Sequence, residues 1–429
     1  MKPLLISRSG FLTLIVVLTM LSASWLSVGA AEWSAWRGPM GDGTWVDAPK
    51  LDRDPPEPPT VHWRRDIGSG YAGVTVAGGR VYTMDRQGTL PQVRERVLCF
   101  DAESGGPLWE HSWDANYTKM EYPSGPRASV LVHQGKAYAQ GASGHLHCLD
   151  AVTGGVLWSL DYVSGLGGKR PTWGYAATPV IWKDLLLLQP GIPNGGGYLA
   201  VRPATGEEVW RTSGDPAGYC TPYLFRHRDR DFLALWTPKH LQLADPDTGK
   251  IHWSLPYEIT YGVSIASPLY HQGLLLVSGY WHGTKTIRLG EGLADHALAW
   301  EENTHLRGLM SQPMVKDGIG HLLDKENGIT CFDFATGRRL WDDAHEITPA
   351  GPGGKNPQCS LIRLRDSNDF LILNSEGELL LATLDDTKVT VHWREPVIGS
   401  TWAHPACGGH RIYLRDDTAL VAVNLPIAK

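Results

Sequence analysis

The sequence predicts an all-β protein, an eight-bladed β-propeller whose blades have four strands each. One observation behind this prediction is a tryptophan that recurs every 41 to 52 residues, a period typical of repeats in which one unit forms one blade. Another is a short string that ends at several of these tryptophans and contains the residues of a tight turn. The eight recurring tryptophans are Trp63, Trp109, Trp158, Trp210, Trp253, Trp300, Trp341 and Trp393.

Five of the tryptophans close an eleven-residue string with the core Asp, two residues, Thr or Ser, Gly, three residues and Trp. The five strings are CFDAESGGPLW (99–109), CLDAVTGGVLW (148–158), AVRPATGEEVW (200–210, with Arg202 in place of the acid), LADPDTGKIHW (243–253) and CFDFATGRRLW (331–341). The glycine can adopt the positive φ of a hairpin turn, and the aspartate can accept hydrogen bonds from amides of that turn. Each tryptophan then begins a strand and can bury its ring against a neighbour. We interpret the string as a hairpin with an aromatic anchor, not as a catalytic motif.

The residues before each hairpin predict the remaining strands of a blade. Short β-rich runs such as GRVYTM (79–84) and DLLLLQ (184–189) precede the turns. Segments of small residues and proline come before those runs and are interpreted as inner strands: ATPV (177–180), CTPY (220–223), ASPL (266–269) and SQPM (311–314). A four-stranded unit of this length is typical of a propeller blade.

The ends of the chain predict how the ring closes. Trp63 lies in an outer strand that has no earlier strands of its own, and residues 402–425 supply three strands without a closing tryptophan. Together they predict one composite blade, which removes the exposed sheet edges that promote aggregation. The turns before Trp300 and Trp393 are degenerate, so a seven-bladed ring is the alternative.

The N-terminus predicts export. A basic start, an apolar run from Phe11 to about Leu21 and the small residues 28–30 before Ala31 are typical of a secretory signal peptide. The apolar run is shorter than the roughly 20 residues that span a bilayer, so we expect no transmembrane segment. We expect a monomer that is periplasmic or secreted. The predicted regions are a signal peptide (1–30), an N-terminal extension with a Pro-rich linker (31–60) and the propeller (61–429).

The charge of the chain bears on the class of binding partner, and the positions of its cysteines bear on whether disulfides form. The formal net charge of -6 comes without a basic stripe, which argues against a nucleic-acid partner. Three cysteines occupy one equivalent position in different blades, so we expect buried free thiols at Cys99, Cys148 and Cys331. The other three cysteines lie near the predicted axis, and a disulfide between two of them is an alternative that the sequence does not decide: Cys220, Cys359 and Cys407.

The repeated string resembles the tryptophan-docking motif of pyrroloquinoline-quinone (PQQ)-type propellers. That superfamily contains quinoprotein dehydrogenases and non-catalytic proteins such as the outer-membrane assembly factor of the BamB type. The resemblance covers about residues 61–425. Within the superfamily, the segments 36–43, 125–154 and 173–180 are similar to exported single-domain propellers of planctomycete-type bacteria. The resemblance implies an eight-bladed ring and no particular reaction.

For the dehydrogenases, the resemblance implies PQQ with calcium, a vicinal pair of cysteines under the quinone, and Glu, Asn and Asp ligands for the calcium ion. No two of the six cysteines are adjacent in this chain, and none begins the Cys-x-x-Cys-His pattern of a fused cytochrome. We therefore expect no cofactor and no catalytic residue. An oxidoreductase that uses PQQ and calcium to oxidise an alcohol or a sugar is the alternative.

Two other patterns have a possible chemical function. His145 and His147 alternate on one face of a predicted strand and could bind a metal ion. Because no third ligand accompanies them, we interpret them as packing residues and expect no metal. The stretch NGGG (194–197) lacks the lysine and the strand-to-helix context of a phosphate-binding loop, so we interpret it as a hairpin.

The best candidate for a binding site is the funnel formed by the loops that lead into the inner strands. By register, these loops carry Tyr71, Arg127, Trp173, Tyr175, Tyr219, Tyr261, Gln358, Trp402 and His404. Aromatic rings with a few polar groups suit stacking on a sugar or a planar ligand, or holding a peptide. The alternative is that these rings are structural: they fill the space between the blades near the axis and bind no ligand. Arg127 and His404 are the strongest candidates, because a charge near the axis needs a partner or solvent.

The sequence as a whole predicts an exported binding or assembly scaffold without chemistry of its own. Its expected partner is an envelope protein, a peptide or a carbohydrate. The alternatives are the quinoprotein oxidoreductase and a carbohydrate-binding propeller.

Overall fold

The computed structural model describes residues 33–308, 310–349 and 356–429, so the predicted signal peptide lies outside the described residues. The chain forms eight sheets, which are arranged as the blades of a propeller. Each sheet has four antiparallel strands, and one sheet gains a short fifth strand in parallel. The predicted fold class is therefore confirmed, and the seven-bladed alternative is wrong. Among the described residues, no helix is long and apolar enough to cross a membrane.

The blades are numbered along the chain, and each runs from the innermost to the outermost strand. Blades 1 and 2 consist of Thr75–Ala77, Arg80–Gln87, Gln92–Asp101 and Pro107–Asn116 (blade 1) and of Leu131–His133, Lys136–Gln140, His145–Asp150 and Val156–Asp161 (blade 2). Blades 3 and 4 consist of Val180–Trp182, Leu185–Leu188, Tyr198–Val201 and Glu208–Thr212 (blade 3) and of Tyr223–His227, Arg230–Trp236, His240–Ala244 and Ile251–Pro256 (blade 4). A short 3-10 turn, Thr260–Gly262, follows blade 4.

Blades 5 to 8 complete the ring. Blades 5 and 6 consist of Leu269–His271, Leu274–Gly279, Gly283–Leu289 and His296–Glu302 (blade 5) and of Met314–Lys316, Ile319–Asp324, Gly328–Asp333 and Arg339–Asp342 (blade 6). Blades 7 and 8 consist of Cys359–Leu364, Asp369–Asn374, Glu378–Leu384 and Val389–Pro396 (blade 7) and of Ala406–Gly408, Arg411–Arg415, Ala419–Asn424 and Thr60–Asp66 (blade 8). The strand Thr60–Asp66 pairs antiparallel with Ala419–Asn424. Blade 8 is thus built from both ends of the chain, as the sequence predicts.

Proline sets where several innermost strands begin. The first strand of blades 3, 4, 5, 6 and 8 starts immediately after Pro179, Pro222, Pro268, Pro313 and Pro405. Because proline has no N–H to donate, pairing in the sheet starts at the following residue. The segments of small residues and proline, predicted to be inner strands, are therefore mainly the loops that lead into those strands.

Most docking tryptophans pack on the turns of the next blade, whereas Trp393 donates a hydrogen bond from Nε1 to the carbonyl of Asp52 in the N-terminal extension. Trp158 donates a hydrogen bond from Nε1 to the carbonyl of Pro203 at 3.1 Å. A Cβ on Gly206 would lie 2.9 Å from the Trp158 ring, and Gly206 has a φ of 74°. Glycine is thus needed both for the turn and for the close approach of the ring. The same contact joins Trp63 to Gly105, Trp109 to Gly154, Trp210 to Gly249 and Trp300 to Gly337.

The aspartate of the string fixes the hairpin turn. Asp150 accepts hydrogen bonds at Oδ1 from the Thr153 amide at 2.8 Å and from its hydroxyl at 2.9 Å. These contacts lower the pKa of Asp150, so the carboxylate that holds the turn stays ionised. Asp101, Asp245 and Asp333 make the same pair of contacts.

Replacement of Trp158 with alanine is expected to lower the free energy of unfolding by roughly 2 to 3 kcal/mol, somewhat less than a fully buried aromatic side chain costs. The reason is that Trp158 is only half-buried. Urea unfolding followed by fluorescence measures the loss. Leu157→Ala, on the same strand and 51% exposed, is the control and should change stability by less than about 0.5 kcal/mol. Equal losses in both variants would show that the Trp158 ring does not hold the blades together.

The N-terminal extension crosses the axis of the ring. The carbonyl of Trp33 accepts a hydrogen bond from Val76 at 3.0 Å, and that of Ser34 accepts one from Val132 at 2.8 Å. The strand Thr44–Trp45 then pairs in parallel with the innermost strand of blade 7. Because all three partners are innermost strands, the extension fills part of the central channel.

All six cysteines are buried free thiols. The prediction for Cys99, Cys148 and Cys331 is therefore confirmed. The three cysteines for which the sequence allows a disulfide form none, and all three are buried: Cys220, Cys359 and Cys407.

Candidate functional site

A cavity of about 360 Å³ lies where the loops enter the innermost strands. All eight blades contribute to its wall. Its aromatic lining consists of Trp36, Tyr71, Tyr122, Trp173, Tyr219, Tyr261, Trp281 and Trp402. Its polar lining includes Arg127, Thr221, Gln312, Asn356, Gln358, Ser360, Thr401 and His404. No Asp or Glu is present among the described lining residues.

The structure brings most of the predicted funnel residues together around this cavity. Those that line it are Tyr71, Arg127, Trp173, Tyr219, Tyr261, Gln358, Trp402 and His404. The prediction for Tyr175 is wrong, because this side chain is 1% exposed in the core and donates a hydrogen bond to Pro190 at 2.9 Å. Gly174, with a φ of 75°, turns the chain between Trp173 and Tyr175, so the two rings point to different places.

One wall of the cavity is built around Trp402. Its ring is nearly parallel to that of Tyr71, with the centroids 5.6 Å apart, and lies 5.9 Å from that of Tyr122. The guanidinium of Arg127 lies 5.0 Å from the centre of the Tyr71 ring, a cation–π distance. Because these rings already support one another, they can receive a ligand without first being ordered.

Two tyrosines at the mouth of the cavity have an unfavourable backbone conformation. Tyr261 has a φ of 60° and is 71% exposed, and Tyr122 has a φ of 48° and is 48% exposed. The left-handed region is costly for bulky side chains, and such residues concentrate at functional sites. The exposed Trp281 lies 5.3 Å from Tyr261. The mouth therefore presents aromatic rings to solvent at a cost in backbone energy.

Arg127 carries the only positive charge among the described lining residues. Its Nε donates a hydrogen bond to the Trp173 carbonyl, and its Nη2 donates to those of Glu121 at 2.8 Å and Tyr122 at 2.7 Å. No described carboxylate lies within ion-pair distance. Burial lowers the pKa of Arg127, but a guanidinium remains protonated at neutral pH. The charge is therefore fixed in place and not neutralised by the described residues.

His404 is a neutral group rather than the charge that the sequence suggested. Burial lowers its pKa to about 3, and the nearby charge of Arg37 acts in the same direction. Its Nδ1 lies 3.2 Å from the hydroxyl of Ser360, and the Trp36 ring packs edge-on at 5.3 Å. His404 can thus take part in hydrogen bonds but adds no charge to the cavity near neutral pH.

Three lining aromatics were missed by sequence reasoning. Trp36 comes from the N-terminal extension, and its only signal was the motif at 36–43. Trp281 lies in the hairpin between the second and third strands of blade 5, not in a loop that enters an inner strand. Tyr122 belongs to a long connection between blades. Register within the repeat gives no information about any of these positions.

The other patterns in the sequence form no chemical site among the described residues. The ring of His147 packs 4.4 Å from Trp113 and 5.0 Å from His111, and burial lowers its pKa to about 4. No group of three or more His, Cys, Asp or Glu in the described ranges is arranged to hold a metal ion. Residues 194–197 form a hairpin closed by a bridge between Ile192 and Gly196.

Comparisons with known proteins agree with the fold. Residues 93–343, more than half of the chain, match the family described as outer membrane protein assembly factor BamB. No curated protein matches the sequence significantly. BamB from Moraxella catarrhalis is 15% identical with a TM-score of 0.56, and the alignment covers 86% of this chain and 99% of that one.

Two solved dehydrogenases also share the fold. Quinohemoprotein alcohol dehydrogenase from Comamonas testosteroni is 12% identical with a TM-score of 0.67, over 93% of this chain and 81% of that one. A europium-containing methanol dehydrogenase is 11% identical with a TM-score of 0.66, over 92% of this chain and 98% of that one. At these identities the likeness concerns the fold alone.

The described lining does not fit the quinone and calcium of PQQ-type dehydrogenases. Calcium takes oxygen ligands, usually with carboxylates among them, and no described lining residue is an Asp or a Glu. Cys359 is the single cysteine of this lining, so a vicinal pair is also missing there. The match over residues 93–343 and the eight blades joined by docked tryptophans show that the chain belongs to the PQQ-like repeat β-propeller family described as outer membrane protein assembly factor BamB.

Proposed function

We propose that the protein is an exported, non-catalytic binding protein that holds a ligand in the aromatic cavity at the axis of the propeller. The observation that carries this proposal is a cavity with eight aromatic side chains and no described carboxylate. Aromatic faces with a few polar groups are typical of ligand sites, and 360 Å³ lies within their usual range of about 300 to 1,000 Å³.

Two buried ionisable groups of the cavity support binding rather than catalysis. Burial holds the pKa of His404 at about 3 and that of Tyr219 at about 12. General acid–base catalysis is most efficient when the pKa of the group lies near the working pH, and neither group meets that condition. The signal-peptide pattern and the family description both favour export to the cell envelope.

A second candidate function is a scaffold for envelope protein assembly. Aliphatic side chains are exposed along the outermost strands of several blades: Leu108, Val156, Leu157, Val209 and Leu298. The outer edges of these strands are also unpaired in the described sheets. Exposed apolar edge strands can pair with a strand of another protein.

The double variant Trp402→Ala, Tyr261→Asn is expected to fold normally and to lose the ligand. Asparagine tolerates the left-handed conformation of position 261, and Tyr261 makes few packing contacts because it is 71% exposed. Immobilised wild-type and variant proteins are incubated with an envelope extract, and the retained small molecules and proteins are identified by mass spectrometry. Circular dichroism and urea unfolding check the fold.

The matched control is Val156→Ser, Leu157→Ser on the outermost strand of blade 2. Under the proposed function this variant retains what the wild type retains. If the cavity variant retains everything while the outer-strand variant loses a protein partner, the cavity proposal is wrong and the assembly scaffold is favoured.

A further inference from the structure

We propose that the ligand is an acidic oligosaccharide, with its carboxylate or sulfate group bound at Arg127 and its sugar rings placed against the aromatic walls. This inference rests on the proposed function of the same cavity. Three independent features carry it: the charge around the axis, the geometry of Arg127, and the arrangement of the rings and neutral polar groups.

The described lining of the cavity carries a positive charge although the whole chain is acidic. The chain has 45 acidic and 39 basic residues, yet the described lining has one cation and no anion. Two further buried arginines stand behind the lining. Arg37 lies beside Trp36, and the carbonyl of Arg415 accepts a hydrogen bond from Thr401. An unpaired cation such as Arg127 gives a positive potential in a cavity with low-dielectric walls.

Neither of these arginines forms a close ion pair among the described residues, but Asp42 lies near enough to Arg37, and Asp85, Asp416 and Asp417 near enough to Arg415, to raise the pKa of each arginine. Arg37 is 4% exposed and donates hydrogen bonds to the carbonyls of Asp42 at 2.8 Å and Pro313 at 3.1 Å. Arg415 is fully buried and also bonds only to carbonyls. Burial lowers the pKa of each to about 10, so both remain charged at neutral pH. These carboxylates balance part of both charges, so Arg127 is the cation that the lining offers to a ligand.

Arg127 is oriented to receive an anion. Its Nε and Nη2 are occupied by the carbonyls of Trp173, Glu121 and Tyr122, which fix the plane of the guanidinium. Its Nη1 makes no hydrogen bond to any described residue. An oxygen of a carboxylate or a sulfate can accept a charge-assisted hydrogen bond there. Because the side chain is already ordered, this contact has a small entropic cost.

The rings face in different directions, which favours a chain of sugar rings over one rigid planar molecule. The Tyr71 and Trp402 planes are 24° apart, but Trp173 and Tyr219 cross at 66°. At the mouth, the exposed Tyr261 meets its neighbour Trp281 at 70°. Separate platforms of this kind can each contact one sugar ring of a flexible chain, and the exposed pair lies where such a chain would leave the cavity.

The polar lining suits sugar hydroxyls. Apart from Arg127 and the neutral His404, the polar groups are amides, hydroxyls and one thiol. Gln358 accepts a hydrogen bond at Oε1 from Ser311 at 3.1 Å, but its amide nitrogen makes none to a described residue. It remains able to donate to a hydroxyl of the ligand.

The test uses matched acidic and neutral oligosaccharides and isothermal titration calorimetry at two salt concentrations. The carboxylate pair is trigalacturonate and galactotriose; the sulfate pair is a sulfated neocarrabiose and its desulfated form. An acidic member is expected to bind at least about tenfold more tightly than its neutral partner, through the charge-assisted contact. Its affinity should fall as salt rises. The pair that shows the difference identifies the anionic group.

Arg127→Gln is expected to remove the preference for the acidic sugar, measured as the ratio of the two affinities in the same variant. Arg127→Lys keeps the charge and should keep part of the preference, which guards against a purely structural effect of the glutamine variant. The control is Arg170→Gln, because Arg170 also donates to two carbonyls, those of Asn116 and Thr118, but does not line the cavity. It should bind both sugars as the wild type does.

Equal affinity for acidic and neutral sugars, or an unchanged preference in Arg127→Gln, would overturn the inference. So would binding of an Asp- and Glu-rich peptide in place of every sugar. If no sugar binds but the Trp402→Ala, Tyr261→Asn variant still loses the ligand retained from the extract, the acidic-sugar inference fails and the proposed function stands. If that variant loses nothing either, both fail.

Discussion

Deletion of residues 402–429 is expected to abolish cooperative folding and to cause aggregation. The deletion removes three of the four strands of blade 8 and leaves Thr60–Asp66 without a partner. It also exposes the faces of blades 7 and 1 that pack against blade 8. The lost strands contain many side chains that are fully buried in one core cluster, including Leu414, Val421 and Val423. Unpaired edges and exposed apolar faces favour association between chains.

Size-exclusion chromatography with light scattering and urea unfolding measure this effect. The control is deletion of residues 428–429, which removes little more than the hydrogen bond from Ala428 to the carbonyl of Lys50 at 2.9 Å. The shorter deletion should leave a folded monomer. A chain ending at 401 that stays soluble, monomeric and cooperatively folded would mean that blade 8 is not needed for the ring to close.

The fold could be predicted because its signals are local. The turn between Asp150 and Trp158 needs only an aspartate, a threonine and a glycine at fixed offsets, and the sequence shows all three. The spacing of the strings then gives the number of blades. The packing of five tryptophans on the turn glycine of the next blade was not predicted, because the turn geometry alone was sufficient to explain that glycine.

The cavity could be predicted only in part. The register of the repeats places Arg127 and Trp402 correctly, since both lie in loops that lead directly into inner strands. It fails for Tyr175, where the left-handed Gly174 redirects the chain. It cannot find Trp36, whose position depends on the path of the extension across the axis. These positions depend on tertiary contacts with no periodic signal in the sequence.

Replacement of Arg415 with methionine is expected to lower the free energy of unfolding by about 2 to 4 kcal/mol. The reason is that buried carbonyls lose their hydrogen-bond donor, and each buried carbonyl without a donor costs about 1 to 3 kcal/mol. The fully buried guanidinium donates hydrogen bonds to the carbonyl of Met84 in blade 1 and to that of Gly68 in the loop before blade 1. It also donates to the carbonyl of Asp416 in blade 8. It therefore joins the blades at which the ring closes. Methionine is apolar and similar in length, so the effect reports mainly the lost hydrogen bonds.

Removing a buried charge also relieves its desolvation cost, which acts in the opposite direction. This relief does not cancel the loss, since the backbone carbonyls remain buried and cannot be replaced by apolar groups. Arg64→Met is the control: the Arg64 side chain is 48% exposed, and its Nη2 lies 3.8 Å from Oδ2 of the buried Asp416. An ion pair this long, with one partner in solvent, contributes about 0 to 1 kcal/mol. Arg415→Lys, which keeps the charge but has no planar fork, should fall between the two. Urea unfolding of all three variants gives the ranking. If Arg415→Met is no less stable than Arg64→Met, water reaches the carbonyls, and closure of the ring depends on strand pairing and on packing between blades 8 and 1 alone.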